Sequence, residues 1–165
     1  MQIQTSLTKA LPINVLRYIR LHHVLLMILL VVLDQWSKQC IRSLLEADMS
    51  FEYIVNSFLS FVGSWNTGVS FGALSSFEYS NLAIAILGSF VVVGIFLYTN
   101  LSLGWQFVAA GAIGNIIDRI VHGAVYDFFY FHYESYGFAI FNLADVYINI
   151  GFLLLLLKYN AAARA

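Results

Sequence analysis

The side chains able to do acid–base or nucleophilic chemistry are few in this sequence and fall in short sets: Asp34 with Lys38, Asn115 with Asp118 and Arg119, Asp127, and Asn142 with Asp145. Asn115, Asp118 and Arg119 are spaced i, i+3 and i+4, and Asn142 and Asp145 are spaced i, i+3. On helices each set therefore occupies one face, and faces of this polarity should meet in a shared pocket. Asp34 and Lys38, at i and i+4, suit an ordinary ion pair as well as a site, and Asp118 beside Arg119 has the same structural reading. Asp145 lies inside a long apolar stretch, where a carboxylate is rarely retained for packing alone, so a functional role is the default. Asp127 taken by itself reads as a surface-loop acid.

Other chemistries have less behind them. His22 and His23 sit together, whereas His122 and His132 are ten residues apart and lack the i, i+4 zinc pattern. The single cysteine, Cys40, excludes an internal disulfide and a multi-cysteine metal cage. Ser37, Ser64 and Ser70 have no histidine arrangement that singles out a nucleophile, and only Lys38 next to Ser37 keeps serine chemistry open. No metal and no cofactor is expected.

These residues sit in a chain for which water is the wrong solvent. Of 165 residues 61% are hydrophobic and 10% charged, with a mean hydropathy of +0.81, against about half and a quarter in soluble domains. The net charge of −1 offers no basic footprint for a nucleic acid. Apolar stretches at 21–41, 81–98, 101–121 and 138–157 predict four membrane-spanning helices in one domain over 1–165. Only Thr99-Asn100 separates the second and third, which predicts a tight helical hairpin.

Lys9, Arg17 and Arg20 precede the first stretch, and Lys158 and Arg164 follow the fourth. That bias puts both termini in the cytoplasm. The segment 44–80 carries Glu46, Asp48, Glu52 and Glu78 and no Lys or Arg, as expected of an exported loop. The polar sets then crowd the outer ends of the helices. The basic start and the apolar core at 24–33 also fit an export signal, but no small-residue cleavage site follows, and the segment is expected to be a retained helix. Gly104, Ala110, Gly111 and Gly114 let the third helix approach its neighbours closely. Residues 51–62 read as one or two short strands, and the aromatic-rich 126–138 as a segment lying at the lipid headgroups. The fold expected is an all-α bundle of four transmembrane helices with a small external β-sheet and an interfacial aromatic segment.

Four stretches, LDQWSK at 33–38, NTGVSFGAL at 66–74, GAIGNIIDRIVHGAVYDF at 111–128 and FNLADV at 141–146, together resemble lipoprotein signal peptidase, also called signal peptidase II. The resemblance covers all four spans in order. It implies a bacterial inner-membrane aspartic endopeptidase that removes the signal peptide of a prolipoprotein just before its diacylglyceryl-modified cysteine, with Asp127 and Asp145 as the catalytic pair. It implies supporting or substrate-binding roles for Asp34, Lys38, Asn66, Gly68, Asn115, Arg119 and Asn142, and a structural one for Asp118. It further implies an external β-sheet from the first long connection, an interfacial helix from the second, a site near the periplasmic face, contact with membrane lipid and sensitivity to globomycin. A monomer is expected. NTGVSFG departs from the family in having Val-Ser where a residue followed by alanine is commoner, which touches local packing and not chemistry.

Two close carboxyls that share one proton supply both the base that activates water and the acid that protonates the leaving nitrogen. A proton-relay channel or transporter subunit is the rival from another class, but its acids should be spread through the bilayer's depth. A scaffold would need no carboxyl pair.

Overall fold

The first helix, α1 (Ile13–Ala47), runs past its apolar stretch at both ends, and its last turns are held by the i, i+4 pair of Arg42 and Glu46 at 2.8 Å. The structure is a computed structural model that describes residues 13–47, 52–68, 80–98, 101–134 and 136–164. Lys9, Asp48, Ser70, Gly72, Glu78, the Thr99-Asn100 turn and the end of the NTGVSFGAL stretch lie outside these residues, as do the side chains of Arg17 and Arg20.

After α1 come strands β1 (Glu52–Asn56) and β2 (Leu59–Asn66), joined by a turn in which Asn56 Oδ1 accepts the N–H groups of Phe58 and Leu59. Helices α2 (Ser80–Tyr98) and α3 (Leu103–His122), strands β3 (Val125–Tyr133) and β4 (Tyr136–Phe141), and helix α4 (Leu143–Ala162) complete the described chain. The strands form one antiparallel sheet in the order β1-β2-β3-β4.

Helix α3 is central and packs against α1, α2 and α4. Its approach to α4 is set by missing side chains. A Cβ on Gly111 would lie 2.3 Å from the Ala144 carbonyl oxygen, and one on Gly104 would lie 2.8 Å from that of Gly151. Around this seam Met27, Leu30, Ile95, Val108, Ala109, Ala110 and Tyr147 form the core. Leu25, Ile28, Val32, Leu87, Phe90, Leu97, Leu153 and Leu156 instead point outward and are exposed. A helix surface this apolar on the outside is suited to lipid. Leu21–Ala47 and Leu143–Ala162 are long and apolar enough to cross a membrane, and Asn81–Leu97 is a shorter apolar helix.

Two expectations are corrected. Residues 126–138 do not form an interfacial helix: those described build most of a β3–β4 hairpin, so the fold is not all-α. The reason is burial. Val125 to Phe128 are buried on both faces of β3, and Phe131 stacks on Phe141 of β4 while Phe129 packs against it at a tilt, so the strand lacks the polar alternation that would reveal it. The fourth helix begins at Leu143, not at 138, because residues 138–141 belong to β4 and Asn142 is the helix N-cap.

Candidate active site

Three chain reversals at one end of the bundle collect the polar residues. Helix α3 stops at Gly123, whose φ of 71° is the left-handed conformation a C-terminal glycine supplies and whose N–H donates to the Arg119 carbonyl at 3.1 Å. The chain turns straight into β3, and Asp118 Oδ2 steadies the turn by accepting the Tyr126 N–H at 3.2 Å. Asp127 then falls opposite Ser64 of β2. On the far side of the hairpin, β4 ends at Phe141 and α4 starts at once. Asn142 accepts the Asp145 N–H through Oδ1 at 3.1 Å and donates its own N–H to Asp145 Oδ2 at 3.2 Å, a reciprocal capping box.

Asn142 is fully buried and joins the two carboxyls. Besides its bonds to Asp145, its Nδ2 donates to Asp127 Oδ1 at 2.6 Å and to Asn115 Oδ1 at 3.1 Å. Asn115 in turn donates through Nδ2 to Asp145 Oδ1 at 2.9 Å. The second oxygen of Asp127 accepts from Asn66 Nδ2 at 2.9 Å, and Asn66 is aimed by the Gly68 N–H, which donates to its Oδ1 at 3.0 Å. Asp127 and Asp145, eighteen positions apart in sequence, thus each accept a hydrogen bond from Asn142, Asp127 from its side-chain amide and Asp145 from its backbone N–H.

Behind this layer lies a buried ion cluster. Lys38 Nζ is 2.9 Å from Asp34 Oδ2 and from Asp118 Oδ2, and it donates to Asn115 Oδ1 at 3.3 Å. Asp34, with no exposed surface, also accepts the Ala144 N–H at 2.9 Å, which fixes the first turn of α4 against α1. A buried ion cluster of this kind is tolerated only when every charge is paired and hydrogen-bonded. Gly114 leaves the room it needs, since a Cβ there would lie 2.4 Å from Asp34 Oδ2.

A cleft of about 540 Å³ opens in front of the carboxyls, lined by Asn66, Gly68, Asn115, Arg119, Asp127 and Asp145 with apolar residues of β4 and α4. Of the residues picked out from the sequence, Asp34, Lys38, Asp118 and Asn142 do not line it and lie in the layers behind. Arg119 does. Its NH1 donates to the Asn115 carbonyl at 3.2 Å, and its buried Nε has no hydrogen-bond partner among the described residues. Burial raises the Asp127 carboxyl to about 6; bonds from Asn66 and Asn142 oppose that rise, the nearby Asp145 adds to it, and Lys38 opposes it. Among the described residues no group of three or more His, Cys, Asp or Glu is placed to hold a metal ion.

Gln35 is the participant that sequence reasoning passed over. Its Nε2 donates to Asp118 Oδ1 at 2.9 Å and contacts Asp34 Oδ2 and the Gly114 carbonyl, both at 3.2 Å. Its place beside Asp34 in LDQWSK was the available signal. Two further polar pairs lie apart from this network: Ser60 Oγ with His132 Nε2 at 3.0 Å, and Gln106 Nε2 with His23 Nδ1 at 2.5 Å.

Comparison with known proteins gives one answer. The family described as signal peptidase (SPase) II matches residues 26–160. The lipoprotein signal peptidase of Rickettsia felis is 38% identical over 146 residues, covering 84% of this chain and 74% of that protein. That of Rickettsia akari is 39% identical over 142 residues, covering 82% and 72%. A bacterial membrane enzyme solved in meso at 2.3 Å resolution superposes with a TM-score of 0.68 at 26% identity, covering 86% of this chain and 89% of that one. Another, at 1.9 Å, gives 0.67 at 25% identity, covering 84% and 92%.

Proposed function

The chain belongs to the signal peptidase (SPase) II family, and from that membership we infer that it is a lipoprotein signal peptidase, an aspartic peptidase that cuts signal peptides from prolipoproteins. Within that activity, Asp127 and Asp145 are proposed as the catalytic carboxyls. The observation that carries the assignment is Asn142, hydrogen-bonded to both and buried behind both.

In the proposed cycle Asp127, raised toward neutrality by burial, holds the proton that the pair shares. Asp145 as carboxylate takes a proton from the attacking water while Asp127 gives its proton to the scissile carbonyl oxygen, leaving a gem-diol. Asp145 then protonates the amide nitrogen, Asp127 recovers a proton from one hydroxyl, the C–N bond breaks, and the pair returns to its starting state. Asn115, Asn142 and Asn66 hold the carboxyls in place, and Arg119 faces the cleft where negative charge develops. Asp34, Lys38, Asp118 and Gln35 position Asn115 and the start of α4 from behind.

The setting that goes with this reading is a bacterial inner membrane crossed four times by one peptidase domain. Both termini are cytoplasmic, and the cleft lies at the periplasmic interface. The substrate's apolar signal helix lies against the exposed apolar helices, with the scissile bond just before a diacylglyceryl-modified cysteine. The enzyme works as a monomer, needs no cofactor and is blocked by globomycin. The test is cleavage of a diacylglyceryl-modified prolipoprotein by purified enzyme in proteoliposomes. Asp127→Asn and Asp145→Asn should insert normally and abolish cleavage. Turnover retained by either would overturn the assignment.

A further inference from the structure

We propose that the edge of β4 left unpaired among the described residues is the substrate's docking strand: the extended segment around the scissile bond pairs with it as a fifth strand of the sheet and is led by it into the carboxyl pair. The inference rests on the assignment of that pair above.

The sheet has two edges among the described residues, β1 and β4. No residue of β1 borders the cleft, whereas Ala139, Ile140 and Phe141 of β4 all do. Natural edge strands are commonly blunted by lysine or proline, because their unpaired N–H and C=O groups invite another chain. β4 reads Tyr-Gly-Phe-Ala-Ile-Phe, with no charge and no proline, and its first four residues are exposed. Its far edge has no strand partner among the described residues. Phe138 and Ala139 stand together opposite Phe131, a bulge of the kind that bends a strand and re-aims it.

The direction of the edge matters as much as its bareness. Phe141 is followed directly by Asn142, whose side chain donates to the Asp127 carboxyl and whose backbone N–H donates to that of Asp145. A peptide paired along β4 therefore passes the dyad at the end of the strand. The substrate has a matching need. A scissile amide must leave its helix to be attacked, and the N–H and C=O groups freed at a membrane interface are costly unless something pairs with them. An edge strand supplies that pairing without regard to side chain, and leaves specificity to the pockets beside it.

Pairing to an edge uses alternate residues of the added strand, and this gives a test on the substrate alone, with the full-length enzyme unaltered. In synthetic lipid-modified prolipoprotein peptides each backbone amide on either side of the scissile bond is replaced in turn by an ester, with the scissile amide left intact. KM and kcat are measured in proteoliposomes. KM should rise about 3- to 10-fold at every second position, the loss of one net hydrogen bond, and stay unchanged at the positions between. Equal effects at successive positions, or no effect anywhere, would overturn the docking strand. Failure of the dyad itself would show separately, as cleavage of the unmodified peptide by Asp127→Asn.

Discussion

Replacing Asn142 should separate two jobs that this one side chain does. As N-cap it stabilises α4, a role worth about 1 kcal/mol. As bridge it donates the 2.6 Å bond to Asp127, and above about pH 6, where that carboxyl is ionised, a bond to a charged group contributes about 1.5–3 kcal/mol. Asn115 Oδ1 keeps its Lys38 donor when Asn142 is truncated, so its loss is smaller. Asn142→Ala should therefore destabilise the protein by about 3 kcal/mol, or about 6–12 °C in Tm at this chain length. Asn142→Ser retains a capping oxygen but is too short to reach Asp127. It should recover about 1 kcal/mol and none of the activity, because displacing a catalytic group by about 1 Å costs roughly a hundredfold in rate. Thermal unfolding in detergent and cleavage of a lipid-modified prolipoprotein peptide, measured on the same preparations, read the two effects. If the serine variant regained activity together with stability, Asn142 would be a cap only, and the bridge would have no catalytic meaning.

Lys38→Met leaves Asp34 and Asp118 buried without a counter-charge and should destabilise by about 3–5 kcal/mol, seen as loss of the folded fraction on denaturant titration; wild-type stability would contradict the ion cluster. Gly111→Ala drives a methyl group into the Ala144 carbonyl and should cost about 1–3 kcal/mol, with activity lost as the start of α4 moves; unchanged kinetics would show that the seam does not position the site. The Asp127 carboxyl, raised to about 6 by burial, is protonated below that pH, so kcat/KM should fall as pH rises through it. Asn66 donates to its charged form and opposes the rise. Asn66→Ala should therefore move this alkaline limb to higher pH, and a limb that moved down or stayed in place would exclude Asp127 as the proton holder.

The helices were legible because their apolar stretches are long, and the β1–β2 hairpin because its segment is rich in aromatic and β-branched residues with polar interruptions. The β3–β4 hairpin was hidden for two physical reasons. The start of β3 is buried on both faces, so tyrosine and phenylalanine follow one another without a period of two. The apolar run from 138 into 157 passes through a change of structure that hydropathy does not register. The boundary was nonetheless marked: Asn142 and Asp145 have the spacing of a capping box, a helix-start signal that outranks hydropathy. At the site, Asp34 and Lys38 were visible as an i, i+4 pair, but their burial and the third member, Asp118, depend on how α1 meets α3. Asp127 gave no local sign at all. Its surroundings come from β2, α3 and α4, and only the family motifs singled it out.

The central claim is that Asp127 and Asp145 act as one unit, and a double-variant comparison tests it most directly. Single-turnover cleavage of a lipid-modified prolipoprotein by Asp127→Asn, Asp145→Asn and the doubly substituted enzyme gives three rates. Groups that share one proton in one step are non-additive, so each single variant should lose at least about a thousandfold and the double variant should be no slower than either. Losses that multiply, or appreciable turnover in either single variant, would contradict the account.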